Sequence, residues 1–255
     1  MQRIEIFAIP GLPEVQPGDD LAELIAAACR RNAFALRDGD VLVVAQKIVS
    51  KAEGRIVALE DVVPTPAAES LAGETGKDAR LVELILRESR RVLRRRPGVI
   101  IAEHRLGFVC ANAGIDRSNV AQGAPGKTLV ALLPADPDAS ARRLRDGLRQ
   151  QLGVSVAVII ADSHGRPFRE GAIGTAIGVA GMQPLTNMVG WIDRHGYQLH
   201  STQMATADEL AAAASLLMGQ SAEGRPVIVV RGAPYQAGAG SLADLLRDER
   251  KDLFR

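Results

Sequence analysis

Two acidic turns carry the residue types that could do chemistry. The stretch Val109-Cys110-Ala111-Asn112-Ala113-Gly114-Ile115-Asp116-Arg117-Ser118-Asn119-Val120 sets a carboxylate, a hydroxyl and a carboxamide close together, directly after a short apolar run. A second apolar run leads into Ile159-Ile160-Ala161-Asp162-Ser163-His164-Gly165-Arg166. Asp side chains at the ends of two strands are what a divalent cation holding a nucleotide phosphate needs. Hard cations take oxygen ligands, and a phosphate-bound ion keeps only a few protein carboxylates. Ser163 can add a hydroxyl ligand, and Asn119 can offer its amide to a base or a phosphate. Spacing alone leaves the plainer alternative open, that Asp116 and Asp162 each cap a turn.

Other segments add cations and backbone. Ser50-Lys51-Ala52-Glu53-Gly54-Arg55 brings Lys51 and Arg55 just beyond a strand end, where a lysine neutralises transferring phosphate oxygens or is simply solvated. Pro10-Gly11-Leu12-Pro13 can approach a base or ribose through its backbone, or serve as a stiff turn. The run Arg80, Arg87, Arg90, Arg91, Arg94, Arg95, Arg96 is the one basic patch, and Glu83 and Glu88 match it at helical spacing. It reads as a solvated face or a subunit contact. His104, His164, His195 and His200 show no metal-binding spacing; His164 beside Asp162 could move a proton, with an exposed turn as its default reading. There is no Walker A pattern and no dinucleotide fingerprint. Gly174-Thr-Ala-Ile-Gly178-Val-Ala-Gly181 reads as tight strand packing.

The elements that must hold these residues alternate without one clean period. A first strand over Ile4–Ala8 stops at Pro10. Asp19 or Asp20 caps a helix running to about Asn32. Asp38-Gly39-Asp40 turns into a strand over Val41–Ala45. Glu60–Gly76 reads as a connection or short helix, followed by a helix from about Asp78 to Arg95. Val99–Glu103 and Phe108–Ala111 read as paired strands, and Leu129–Leu133 as another. Asp136-Pro137-Asp138 starts a helix with Asp136 as cap and Pro137 in its first turn, ending at Gly153. Val154–Ala161 reads as a buried strand and Gly171–Gly181 as a glycine-rich one. Thr206-Ala-Asp-Glu209 resembles a capping box opening a helix to Met218. A late strand over Val227–Val230 and a helix over Ser241–Asp252 complete an α/β or α+β chain.

Composition narrows the partners. At 255 residues, with 47% apolar side chains, the chain can bury a substantial core. Aromatics are only 3%, too few for a stacking platform for single-stranded nucleic acid, and the net charge of +1 favours neither nucleic acid nor an anionic membrane. Cys29 and Cys110 make no disulfide framework, and Cys29 reads as a small buried hydrophobe. With no signal-like or membrane-spanning run, the expected location is the cytoplasm.

In order along the chain, these motifs closely resemble the coenzyme F420-0:L-glutamate ligase family. The matching pieces are Gly11-Leu12-Pro13, Pro17-Gly18-Asp19-Asp20-Leu21, Asp38-Gly39-Asp40-Val41 and Ser50-Lys51-Ala52-Glu53-Gly54-Arg55. Asn112-Ala113-Gly114-Ile115-Asp116, Ser118-Asn119-Val120, Leu132-Leu133-Pro134 and Asp136-Pro137-Asp138 follow. Asp162-Ser163-His164-Gly165-Arg166, Ala207-Asp208-Glu209 and Val229-Val230-Arg231-Gly232 close the series.

The resemblance implies one α+β, mixed-sheet ligase domain over residues 1–255, with subdomains allowed, an intertwined homodimer, and no fused nitroreductase-like C-terminal domain. It implies GTP-dependent ligation of L-glutamate to the lactyl carboxylate of coenzyme F420-0 through an acyl phosphate, releasing GDP and phosphate, with further gamma-linked glutamates as an extension. The rival readings are an amide ligase for another acid and a non-catalytic deazaflavin- or nucleotide-binding module. The implied cofactors are Mg²⁺ or Mn²⁺, with potassium as a further candidate.

Carried over, Asp116 and Asp162 hold the first metal, and Ser163 and Gln220 bear on a second. Lys51 is the implied catalytic cation. Gly11, Leu12, Pro13, Glu14, Gln46, Lys47, Lys51 and Asn119 line the GTP site. Met218, Gly219, Gln220, Ser221, Ala222, Glu223, Gly224 and Arg225 form the loop that closes over the nucleotide. Gln46-Lys47 departs from the small hydroxyl pair or Ser-Lys expected there. Gln220 stands where some members carry a metal-binding Glu, with Glu223 as a substitute carboxylate three residues on.

Overall fold

In the computed structural model, residues 3–120 and 126–253 are described. Strand β1 (Glu5–Ala8) leads through the Pro10–Pro13 segment to helix α1 (Leu21–Arg31), whose cap Asp20 accepts from the backbone N–H groups of Ala22 and Glu23. Strand β2 (Val41–Ala45) has four consecutive buried residues, the pattern of a strand covered on both faces. It runs without a loop into helix α2 (Gln46–Ala52). After β3 (Ile56–Ala58) come α3 (Pro66–Thr75), capped by Thr65, and α4 (Ala79–Arg87), capped by Asp78. Strands β4 (Ser89–Arg96), β5 (Val99–His104), β6 (Val109–Ala111) and β7 (Leu129–Ala131) follow. Helix α5 (Pro137–Leu152) then leads into the long hairpin of β8 (Ala157–Arg166) and β9 (Arg169–Ala180). The last elements are β10 (Thr186–Asn187), β11 (Gln203–Met204), α6 (Thr206–Met218) and β12 (Val227–Arg231).

The main sheet has the order β1-β12-β2-β8-β9. All its pairs are antiparallel except β2 with β8, which run parallel with Ala45 opposite Ala161. That one parallel pair positions the site: β2 ends at Ala45, opposite Ala161, while β8 runs on beside β9, so Gln46 and Asp162 follow side by side, with Asp162 within a strand and not at a strand end. Leu42, Val44, Val158 and Ile160 pack into one core cluster with residues of α1 and α5, while Val43, Ile159 and residues of α6 form the cluster on the other face. The helices approach β9 closely. A Cβ at Gly174 would lie 2.5 Å from the Ala211 carbonyl oxygen, and one at Gly178 would lie 2.5 Å from the Pro137 backbone. The glycine-rich strand is therefore a packing device, as its composition suggested.

Smaller sheets of β4-β5-β6 and of β3-β7 complete the mixed α+β fold. A separate hairpin spans residues 186–204, tied by β10–β11 and the Ile192–Gln198 bridge. It exposes Val189, Trp191, Ile192 and Tyr197. No helix among the described residues is long and apolar enough to cross a membrane.

The structure corrects several expectations. The helix expected over Asp78–Arg95 ends at Arg87, because Ser89–Arg96 pairs with β5 and sends Arg91 to Glu103 and Arg95 to Glu74. Glu88 does not join that arginine run; it binds Arg55 and Arg105. Of the two readings of Glu60–Gly76, a connection or a short helix, the helix holds over Pro66–Thr75, stopped by Gly76 in the left-handed conformation. Thr206 is no cap, since its hydroxyl bonds Thr186 and Asp208 accepts from the Ala176 N–H of β9. The helix expected over Ser241–Asp252 is instead two short 3₁₀ turns, Leu242–Leu245 and Glu249–Lys251. There the Ser241–Asp244 capping box opens only one turn.

Candidate active site

Where β2 ends and β8 runs on, a cleft of about 660 Å³ opens between the β2–α2 junction, the turn before Asp116, β8 and the loop after α6. It gathers Leu12, Pro13, Glu14, Gln46, Lys47, Lys51, Asp116, Asn119, Asp162, Ser163 and all of 218–225. Of the site residues carried over by the family resemblance, Gly11 alone falls outside this lining; its carbonyl accepts from Arg31 of α1.

Asp116 is presented by an unusual turn. Asn112, Ala113 and Gly114 all have positive φ, at 51°, 51° and 68°. Asn and Gly tolerate this region, but a non-glycine residue held there costs about 1–2 kcal/mol. Packing sustains the turn: Ala113 is fully buried, and any Cβ at Gly114 would overlap the Leu133 side chain. The chain then bridges Asp116 to Ala131 and delivers the carboxylate to the cleft. Its Oδ2 lies 2.7 Å from Lys47 Nζ and accepts from the Ser118 hydroxyl, while Oδ1 accepts from the Ser118 N–H. Burial pushes this carboxyl up, but Lys47 and the Ser118 donors outweigh it and hold Asp116 below the usual carboxylate range. The Lys47–Ser118 contact closes the triangle.

Asp162 sits on β8 with Oδ1 3.5 Å from the Gln46 amide and Oδ2 3.1 Å from His164 Nε2. His164 is not the exposed turn histidine of its default reading. It is part of a strand, its side chain is only 13% exposed, and its ring lies 5.1 Å from that of Phe108. The Ser163 hydroxyl donates to Gln220 Oε1 at 2.8 Å, so the two residues implied for a second metal do meet. Glu223 turns back on its own loop, accepting from the Ser221 N–H. That backbone bond holds its carboxyl below the ordinary value.

Lys51 lies on α2 rather than in a loop, one turn beyond Lys47, and pairs with Glu14. Arg55, weighed with Lys51 from sequence, does not enter the cleft; it donates to the Leu133 carbonyl and to Glu88. Cys110 lines the cleft as a buried thiol pushed up to about 12 by burial and by the nearby Asp162 charge, so it stays protonated and is no nucleophile.

The largely buried Glu88 and the buried His104 form, with Arg55 and Arg105, a charged cluster that sequence reasoning missed. Glu88 Oε2 accepts from Arg55 at 2.7 Å and Arg105 at 2.9 Å, and lies 3.5 Å from His104 Nε2. Burial raises the Glu88 carboxyl, yet His104, Arg105 and Arg55 together pull it down to about 2.

Among the described residues no three His, Cys, Asp or Glu side chains converge to hold a metal ion alone. The donor set nevertheless suits a hard cation that takes its other ligands from phosphate. Two carboxylates, the Ser163 hydroxyl and the Gln220 amide oxygen line one cleft, and Asp116 already faces a cationic ammonium there.

The comparisons with known proteins agree over nearly the whole chain. The family model described as F420-0:Gamma-glutamyl ligase matches residues 11–232. "Coenzyme F420:L-glutamate ligase" of Methanothermobacter thermautotrophicus is 48% identical over 254 residues, covering 99% of each chain. The proteins of that name from Methanopyrus kandleri and Methanocaldococcus jannaschii are 46% and 40% identical, covering 99% and 100% of this chain and 98% of their own. With cleft, motif order and full-length similarity in agreement, the chain belongs to the F420-0:gamma-glutamyl ligase family.

Proposed function

We propose that this protein joins L-glutamate to the lactyl carboxylate of coenzyme F420-0 at the expense of GTP. The observation that carries the reading is the convergence of Asp116, Asp162, Lys47 and Lys51 with the 218–225 loop in one cleft. A carboxylate is a poor electrophile. Transfer of the GTP gamma-phosphoryl group to it gives an acyl phosphate and GDP; attack by the glutamate amine then forms the amide and releases phosphate and a proton.

A divalent cation, Mg²⁺ or Mn²⁺, held by Asp116 and Asp162 would offset phosphate charge during transfer. Ser163 and Gln220 are the proposed donors toward a second ion, with potassium a further candidate. Lys51 and Lys47 supply fixed positive charge toward the phosphates, so the protein's work is positioning and charge stabilisation. Leu12, Pro13, Glu14, Gln46 and Asn119 are proposed to line the nucleotide, with Met218–Arg225 covering it. Addition of further gamma-linked glutamates uses the same chemistry, because each product ends in a new carboxylate. The cytoplasm, where GTP and glutamate are at hand, is the proposed location. Incubation of the protein with F420-0, glutamate, GTP and Mn²⁺ should yield a coenzyme heavier by one glutamyl residue in mass spectrometry, with GDP release requiring both acceptors. GDP release in the absence of F420-0, or no mass gain, rejects this reading.

A homodimer is part of the same proposal, supported by the 186–204 hairpin. An isolated hairpin is marginally stable in water, yet this one presents Trp191 at 54% and Ile192 at 63% exposure. Light scattering should give twice the chain mass of 27.1 kDa. Trp191 is the chain's only tryptophan, so its emission should be blue-shifted in the dimer and move red on dilution. A monomer at micromolar concentration would overturn the dimer.

A further inference from the structure

The side chain that backs Asp162 has no part in the reaction just described. His164 lies two residues further along β8, on the same face of the strand. Its Nε2 is 3.1 Å from Asp162 Oδ2, and both side chains are largely buried. The imidazole is held by an aromatic stack. Its ring lies against Phe108, and Phe108 stacks nearly parallel on His104, with centroids 5.3 Å apart and planes 6° from each other. His104 is fully buried, and its Nδ1 accepts from the Leu106 N–H.

The other side-chain contact of Asp162, from Gln46, is long at 3.5 Å and at the limit for a hydrogen bond. The neighbouring Ser163 hydroxyl is turned to Gln220. The imidazole therefore supplies the firmest side-chain bond to this carboxylate among the described residues.

We propose that His164 is a positioning residue: its Nε2–H holds Asp162 Oδ2 so that Oδ1 stays turned to the cleft as a cation ligand. The proposal rests on Asp162 being a metal ligand, as in the proposed function. A carboxylate only accepts, so the ring nitrogen facing it carries the hydrogen. A free aspartate samples many orientations, and one with an oxygen pinned does not. Hydrogen-bond partners behind metal ligands commonly contribute about 10–100-fold in metal affinity.

The test is Mn²⁺ binding to the full chain by equilibrium dialysis at fixed GTP without acceptor, alongside thermal unfolding. His164→Phe keeps a ring against Phe108 but has no donor, and should weaken Mn²⁺ binding about 10–100-fold. His164→Gln, whose amide N–H reaches toward the same oxygen, should recover most of the loss. Should His164→Phe not fold, His164→Leu carries the same expectation. Wild-type Mn²⁺ affinity in a folded His164→Phe protein overturns the proposal, and so does a His164→Gln protein as weak as His164→Phe. Asp162→Asn separates the two levels. If it keeps wild-type Mn²⁺ affinity, the metal assignment falls and the proposal with it; if it alone loses Mn²⁺, only the positioning role is lost.

Discussion

Asp162→Asn should lower the rate of glutamate ligation by at least about 10²–10³-fold, the scale of losing one electrostatic group from a phosphoryl-transfer site. The substitution replaces an anionic oxygen with an amide nitrogen that cannot ligate a hard cation. The fold should survive. Asp162 contributes its backbone carbonyl to Thr175 and its backbone to the β8–β9 ladder, and neither depends on the side-chain charge. An asparagine can still accept from His164 through its remaining oxygen. Turnover with F420-0, glutamate and GTP, measured beside thermal unfolding, decides the matter. A correctly folded Asp162→Asn protein with near wild-type turnover would sink the metal role of this residue.

Glu88→Gln should cost about 3–5 kcal/mol of stability, the usual result of breaking a buried ionic cluster from one side. The glutamine leaves Arg55, Arg105 and the buried His104 around a neutral group, with both guanidinium groups without their shared carboxylate. For a chain of this size that loss lowers the melting temperature by about 10 °C. The same cluster sets an acid limit. The Glu88 carboxyl falls from its ordinary 4.5 to about 2 in the folded protein, so its contribution of about 3 kcal/mol is complete above pH 4.5 and is lost as pH falls toward 2. Wild-type protein should lose stability across that window, and Glu88→Gln should show a flatter profile there. Equal slopes in urea unfolding between pH 5 and 3 would refute the assignment. The damage should also reach the site, since Arg55 holds the Leu133 carbonyl and the Leu133 side chain packs against Gly114, in the turn that presents Asp116.

Much of the fold could be read from local signals. Asp20, Asp136, Pro137 and Gly153 bound α1 and α5 as their types predict, because caps act within a turn of the helix they end. The unbroken apolar runs at Val41–Ala45 and within β8 announced buried strands. The misreadings share a cause: tertiary partners overrode local pattern. Ser89–Arg96 has helix-friendly arginines, yet pairing with β5 and carboxylates from three other elements make it a strand. Thr206 and Glu209 carry a capping signature, but Thr186 of β10 claims the Thr206 hydroxyl and the cap position falls one residue earlier, at Ala205. In the site, the motif order led to the residues that line the cleft. What it did not carry was how Lys47 holds Asp116, nor the Glu88 cluster with Arg55, Arg105 and His104. Lys47 and Asp116 are 69 positions apart, and no spacing rule encodes their contact; His164 and Asp162 are two residues apart on β8, a proximity the sequence did carry.

The parallel pairing of β2 with β8 also has a kinetic side. Residues 45 and 161 must find each other across more than a hundred intervening positions, and such non-local closure is slow to form. The cleft is completed only when the end of β2 and strand β8 come together with the Asp116 turn and the loop after α6, so a partly folded chain has no site to offer. Recovery of Mn²⁺ affinity during refolding should therefore trail the appearance of α1 and α5, and keep step with the closing of the central sheet.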